Sequence, residues 1–283
     1  MNRATHAGRL FLSFLLVALA AGRAGADDAA VVATARELLA KHQEAVVWVS
    51  AVVTIQIPGG ARAPEQEAET LGTVVDPSGL VIISLEAMNP VSKLMRLGMN
   101  VRTQGINLRD IKSELSQVKI RLADGTEVPA KVVLEDSDLG LSFLRPEPPA
   151  EGVEPRTFAS IPLETGAAAE VLDQVIELRR LGKTLDSEPS VSLERVTAVV
   201  KKPRELFCTS TKGEGTPVFT AAGKLLGIGV TNSEGSTVVV PTIDIAPIAD
   251  QAKEQPVEAK PAETPAEKPA DAPAEKPEPP AAP

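Results

Sequence analysis

Between Asp27 and Glu44 the apolar positions recur every three or four residues, at Val31, Val32, Ala35, Leu38, Leu39 and His42, with Glu37, Lys41 and Glu44 opposite them. That spacing predicts an amphipathic helix. At Ala45 the period changes. Ala45 to Ile55 is a β-branched, apolar run with the character of a buried strand. After a loop containing Pro58, Gly59, Gly60 and Pro64, Glu69 to Ser84 divides into two strands about an Asp76-Pro77-Ser78-Gly79 turn. Val118 to Leu122 alternates apolar and charged residues, Asp124-Gly125 turns the chain, and Glu127 to Leu134 returns. Pro146 to Val153, with four of its eight residues Pro or Gly, reads as a connector. Beyond it, Asp173–Leu178, Ser190–Val200, Leu206–Cys208 and Ser236–Pro241 are strand candidates, and Thr242–Ala252 a terminal helix. Residues 87–116 interrupt this pattern and read as an insertion. Met88, Met95 and Met99 occupy its first half, and Leu108, Ile111 and Leu115 follow helical spacing in its second. Soft methionines fill gaps against a core more often than they line a binding surface.

The two ends of the chain stand outside this pattern. Arg3 and Arg9 precede a mostly apolar run, Leu10 to Ala21, and Ala24-Gly25-Ala26 offers a small-residue cleavage site. The run is shorter than the ~20 residues that span a bilayer. Residues 1–26 are therefore expected to be a signal peptide, and the protein to be exported to a periplasmic or extracellular space, without a membrane span after cleavage. From Lys253 onward the chain repeats Lys-Pro, Ala-Glu and Ala-Pro units without a large apolar run. Such a segment cannot offset its ordering entropy, so residues 252–283 are expected to form a disordered tail. At ~3.1 Å per residue it reaches on the order of 90 Å, which suits spacing or tethering.

Charge and cysteine content narrow the partners. The 283 residues carry a formal net charge of -9, and removal of Arg3, Arg9 and Arg23 with the leader leaves 26 basic residues against 38 acidic ones, net -12. That balance disfavours nucleic acid and anionic membrane surfaces. With Cys208 as the single cysteine, no internal disulfide can form, and stability has to come from packing. Cys208 sits in an apolar run and reads as a buried thiol rather than a nucleophile.

Cys208 to Val230 carries a resemblance. Lys212-Gly213-Glu214-Gly215-Thr216-Pro217-Val218-Phe219 resembles the nucleophile loop of the trypsin-like serine proteases, Gly-Asn-Ser-Gly-Gly-Pro-Leu-Val. Glu69 to Ser84, with its Asp-Pro-Ser-Gly turn, is similar to the same region of exported proteases of the high-temperature-requirement class. Asp138-Leu139-Gly140 resembles the segment that carries their catalytic aspartate, and Ser236 to Pro241 the strand that closes their substrate cleft. The resemblance covers roughly Val46 to Gln251. It implies an all-β domain of two six-stranded antiparallel barrels, residues 45–145 and 154–251, preceded by a helix over 27–44 and without a PDZ domain.

The resemblance also places the triad. Glu86 falls where the catalytic histidine belongs, Asp138 on the aspartate, and Glu214 on the nucleophile. Lys212, Gly213, Gly215 and Thr216 take the places of the loop that forms the oxyanion hole. Peptide hydrolysis of this type needs a hydroxyl, a base and an orienting carboxylate. Two of the three are replaced, and the only histidine after residue 26, His42, lies on the helix before the first strand. The expected function is that of a catalytically inactive pseudoprotease binding a protein or peptide, with no cofactor. Two alternatives are an exported serine-type endopeptidase and a structural cell-envelope protein tethered through its tail. If that fold holds, Glu86, Asp138 and Glu214 are expected to approach one another at the triad site, where they cannot all stay ionised without a compensating cation. A hard metal such as Ca²⁺ is one candidate, nearby Lys or Arg side chains or solvent exposure the preferred one.

Overall fold

The computed structural model describes residues 28–56, 65–89, 112–210, 213–232 and 236–257. Helix α1 covers residues 28–42 and continues into a 3-10 turn, Gln43–Ala45. Twelve strands follow: β1 (Val46–Gln56), β2 (Gln66–Val74), β3 (Val81–Ser84), β4 (Lys112–Arg121), β5 (Glu127–Asp136), β6 (Leu141–Pro146), β7 (Gln174–Arg180), β8 (Pro189–Val200), β9 (Leu206–Thr209), β10 (Pro217–Thr220), β11 (Leu225–Thr231) and β12 (Thr237–Pro241). Helix α2 (Thr242–Glu254) ends the described chain. The strands close two antiparallel barrels, β1-β2-β3-β6-β5-β4 and β7-β8-β9-β12-β11-β10. Both follow the same order, so the second barrel repeats the topology of the first, as the all-β double-barrel expectation required.

The turns explain why neighbouring strands pair. Gly79 and Gly125 both have positive φ, +89° and +81°, which favours glycine at these two corners. Asp76 reinforces the first by accepting from the Ser78 N–H (2.9 Å). The apolar run of β1 is buried on one face, at Val47, Val49, Ala51, Val53 and Ile55, while Trp48, Ser50, Val52 and Thr54 on the other are half-buried. Leu115 corrects the sequence reading. It belongs to β4, opposite Val53, where helical spacing had suggested an insertion through residue 116. The register of β4 against β1 shifts between Ser116 and Lys119, so Leu115 and Val118 stand three residues apart and mimic helical spacing. The rest of that insertion, from Pro90 to Ile111 and including Met95 and Met99, lies outside the described residues. Met88 is buried in the core. The signal-peptide segment and residues 258–283 also lie outside. Helix α2 extends past Ala252 to Glu254, and Lys253 ties it to Asp76 (3.3 Å) and Asp250 (3.0 Å). Burial pushes the Asp76 carboxyl upward, but hydrogen bonds from Ser78 and Lys253 outweigh it and hold the group below its ordinary range.

The core is shared between the barrels. Val31, Ala35 and Leu38 of α1 enter one apolar cluster with Val46, Val47 and Val49 of the first barrel and Ile176, Leu178, Phe219 and Leu225 of the second. The helix therefore wedges the two together, each large buried side chain contributing roughly 1.5–3 kcal/mol. A second cluster joins Leu80, Ile82 and Phe143 to Ile228, Val240 and Ile245 of β11, β12 and α2.

His42 belongs to this packing. Its ring stacks on Phe219 with centroids 5.8 Å apart. Burial, followed by the neighbouring Lys41 charge, holds its pKa below the ordinary 6.5. A base with a lowered folded-state pKa binds fewer protons folded than unfolded, so its stability contribution is complete above about pH 6.5 and declines as the pH falls below it. Urea unfolding between pH 7.5 and 5 should show a loss of stability on acidification that is smaller in His42→Phe, and equal slopes in the two chains would refute the assignment.

Candidate functional site

The site begins where β3 ends. Ser84 leads into a 3-10 turn, Leu85–Met88, that sets Glu86 between buried Ser84 and buried Ala87 and Met88. Leu85 N–H donates to Gly140 O (2.8 Å), which fixes the turn against the end of the β5–β6 connection. Glu86 is half-buried, and its Oε2 is shielded from solvent without a hydrogen-bond partner. It does not turn outward.

Glu214 approaches from the other barrel, on the loop between β9 and β10. Its Oε1 accepts from the Thr231 hydroxyl (2.9 Å), and the Thr231 N–H donates to Ser84 Oγ (3.1 Å). Thr231 thus links the nucleophile position to the end of β3, from which the turn bearing Glu86 starts. Asp138 does not join them. Its side chain is 85% exposed and stands 4.0 Å from Arg204. The reason is local: Asp136, not Asp138, accepts the Leu139 N–H (2.8 Å) and caps the turn, and Gly140 at φ +68° completes it with Asp138 facing out. The expected convergence of Glu86, Asp138 and Glu214 is therefore corrected. Among the described residues no three His, Cys, Asp or Glu side chains form a group able to hold a metal.

The loop glycines are explained by contact rather than by an oxyanion hole. A Cβ on Gly213 would stand 1.7 Å from Glu177 Oε1, and one on Gly215 would stand 2.2 Å from Leu71 O. Gly215 O accepts from Thr73 Oγ1 (2.7 Å), and its N–H donates to Gly229 O (2.7 Å). Thr216 is fully buried, and its hydroxyl donates to Glu177 Oε1 (2.6 Å). The loop is thereby held between β2 of the first barrel and β7 and β11 of the second. Lys212 lies outside the described residues.

Glu177 and Arg180 were missed by the sequence reading. Glu177 is 1% exposed, with Arg179 Nε 4.0 Å from its carboxylate. Its signal was available: in Val175-Ile176-Glu177-Leu178 it shares the alternation parity of Val175, which packs inside the second barrel. Arg180, also buried, donates to Gln43 O (2.6 Å), Ser187 O (3.1 Å) and Val46 O. Burial lowers its pKa, and Glu44 and Glu188 oppose that shift. Cys208 is half-buried on β9, and Ser210 donates to the Glu194 carboxylate.

Chemically, the centre offers a shielded carboxylate, a second carboxylate engaged by a threonine, and a rigid glycine loop. Among the described residues the one imidazole, His42, is stacked on Phe219. Compared with protein-family models and with curated proteins, the chain gives no match to either.

Proposed function

We propose that this chain is an exported, catalytically inactive relative of the trypsin-like serine proteases, and that it binds a protein or peptide at or around the joint between its barrels. The observation that carries the reading is the Thr231-bound Glu214 at the position where the resemblance puts a serine. A carboxylate there cannot form the ester of an acyl-enzyme cycle that a hydroxyl would form. The other two positions support the same reading. Glu86 cannot supply the imidazole, and Asp138 is exposed to solvent beside Arg204. Loss of nucleophile or base alone lowers turnover by on the order of 10⁶.

Two closed six-stranded barrels of identical strand order are consistent with that ancestry. The glycine loop keeps its shape because it has become part of the barrel joint. A fluorophosphonate probe tests the reading directly. Purified protein should remain unlabelled under conditions that label trypsin fully, and stoichiometric labelling would overturn the proposal.

A further inference from the structure

The hydrogen-bonded ladder of the first barrel is incomplete between β4 and β5. The two strands pair only at Lys119, Ile120 and Arg121, opposite Pro129, Val128 and Glu127. Before Lys119 they part: Lys112 to Ser116 stay with β1, and from Ala130 onward β5 pairs with β6. The parting has a local cause. Gln117 and Val118 stand against Ala51 alone, a bulge in which Gln117 takes φ +49°, and the extra residue bends β4 away from β5. Between the separated strands lies an opening of about 790 Å³, walled by Leu115 to Lys119 on one side and Pro129 to Val132 on the other.

Both the backbone and the side chains of these walls select one kind of occupant. Along Glu114 to Gln117, β4 has β1 on one side and, among the described residues, no strand on the other. Glu114, Ser116 and Gln117 are exposed there, and alternate residues of such an edge present N–H and C=O groups outward. Leu115 and Val132 pack against the main apolar cluster, yet both are left half-buried at the opening. The core therefore reaches the surface where no strand crosses it. Charge selects nothing, because Lys119 is paired with Glu127 (2.8 Å) and Lys131 with Glu147 (4.0 Å). An extended backbone supplies donors and acceptors at strand spacing, and its alternate side chains can cover Leu115 and Val132. At ~3.4 Å per residue the edge accommodates a segment of about four to six residues, and the opening is of the size that takes one.

We propose that this edge of β4 receives an uncharged, extended segment of a partner protein as an added antiparallel strand, with apolar residues at alternate positions covering Leu115 and Val132. The site lies on the first barrel and does not depend on whether the triad positions are catalytic. The peptide acetyl-Ser-Val-Thr-Val-Thr-Ser-amide, added to the full-length protein, is the probe. It should slow hydrogen exchange of amides within Glu114 to Gln117 by roughly tenfold or more and leave those of β11 unchanged. At least one of its two alternately N-methylated forms should bind roughly tenfold more weakly, since each lacks the donors on one side of the strand. Leu115→Lys, which sets an ammonium in the opening, should weaken binding by a similar factor while β11 and β12 keep their exchange rates. The proposal is overturned by absence of protection at millimolar peptide, by equal affinity of all three peptides, or by affinity unmoved in a folded Leu115→Lys variant. It is equally overturned if the edge is already protected in the dilute free protein, which would place another part of the chain in the opening, or becomes protected with protein concentration alone, which would place a second copy there.

Discussion

Gly215→Ala should lower the stability of the fold by about 2–5 kcal/mol. Gly215 has φ +78°, and a Cβ there would stand 2.2 Å from Leu71 O, 3.0 Å from Leu71 C and 3.3 Å from Gly72 Cα. All three are backbone atoms of β2, which is paired on both sides, with β1 and with β3. No rotamer change relieves the clash. Either the loop leaves its place, breaking the Thr73 and Gly229 hydrogen bonds, or the barrels move apart. A left-handed conformation costs a non-glycine residue roughly 1–2 kcal/mol, and overpacking adds typically 1–3 kcal/mol. For a domain of this size the sum lowers the melting temperature by on the order of 10 °C. Gly152→Ala is the control. It shares the positive φ, +85°, but a Cβ there meets nothing within 4 Å, so it should lose only the conformational share. Equal losses in the two variants, measured by thermal or urea unfolding, would show that the barrel joint is not what Gly215 serves.

The contrast between these glycines shows what the sequence could and could not reveal. Strands and tight turns are local. Asp76-Pro77-Ser78-Gly79 and Asp124-Gly125 carry their own conformational preferences, and the strands around them fall within a few residues of expectation. The start of β4 was hidden because a register shift between Ser116 and Lys119, with Gln117 at φ +49°, sets Leu115 and Val118 three apart, a helical rather than a strand spacing. The order of triad positions along the chain was legible, but their geometry was not. Asp136 and Asp138 are both acids of one turn, and that Asp136 takes the Leu139 N–H is set by the backbone path and not by residue type. Glu214 finds its partner Thr231 seventeen residues away, and it is the β10–β11 pairing register, Pro217 opposite Ile228, that brings them together. Gly213 looked like a loop residue of a catalytic site because glycine is favoured wherever backbone or side chains approach closely, and the sequence does not say that here the approaching group is Glu177.

Arg180→Met should be the second large effect, about 3–5 kcal/mol. Arg180 is 8% exposed and ends β7, where one guanidinium serves three carbonyls: Gln43 after α1, Val46 at the start of β1, and Ser187 in the hairpin between β7 and β8. It therefore connects the helix end, the first barrel and the second barrel through a single planar group. Hydrogen bonds from a charged donor contribute ~1.5–3 kcal/mol each, and a carbonyl left buried without a donor loses ~1–3 kcal/mol. Methionine fills a similar volume, so the loss reflects the carbonyls and not a cavity. Arg180→Lys should recover only part of it, because an ammonium lacks the planar fork that meets acceptors in several directions. Hydrogen exchange separates this role from general destabilisation. With the fold otherwise intact, amides of Ala45 to Val47 and of Ser187 and Glu188 should lose protection before those of β11 and β12. If protection falls uniformly across both barrels, Arg180 does not act as a local clamp. If it falls first at the helix end, the docking of α1 depends on a residue 137 positions away, and His42 and Phe219 stack because this clamp brings the helix end down onto the second barrel.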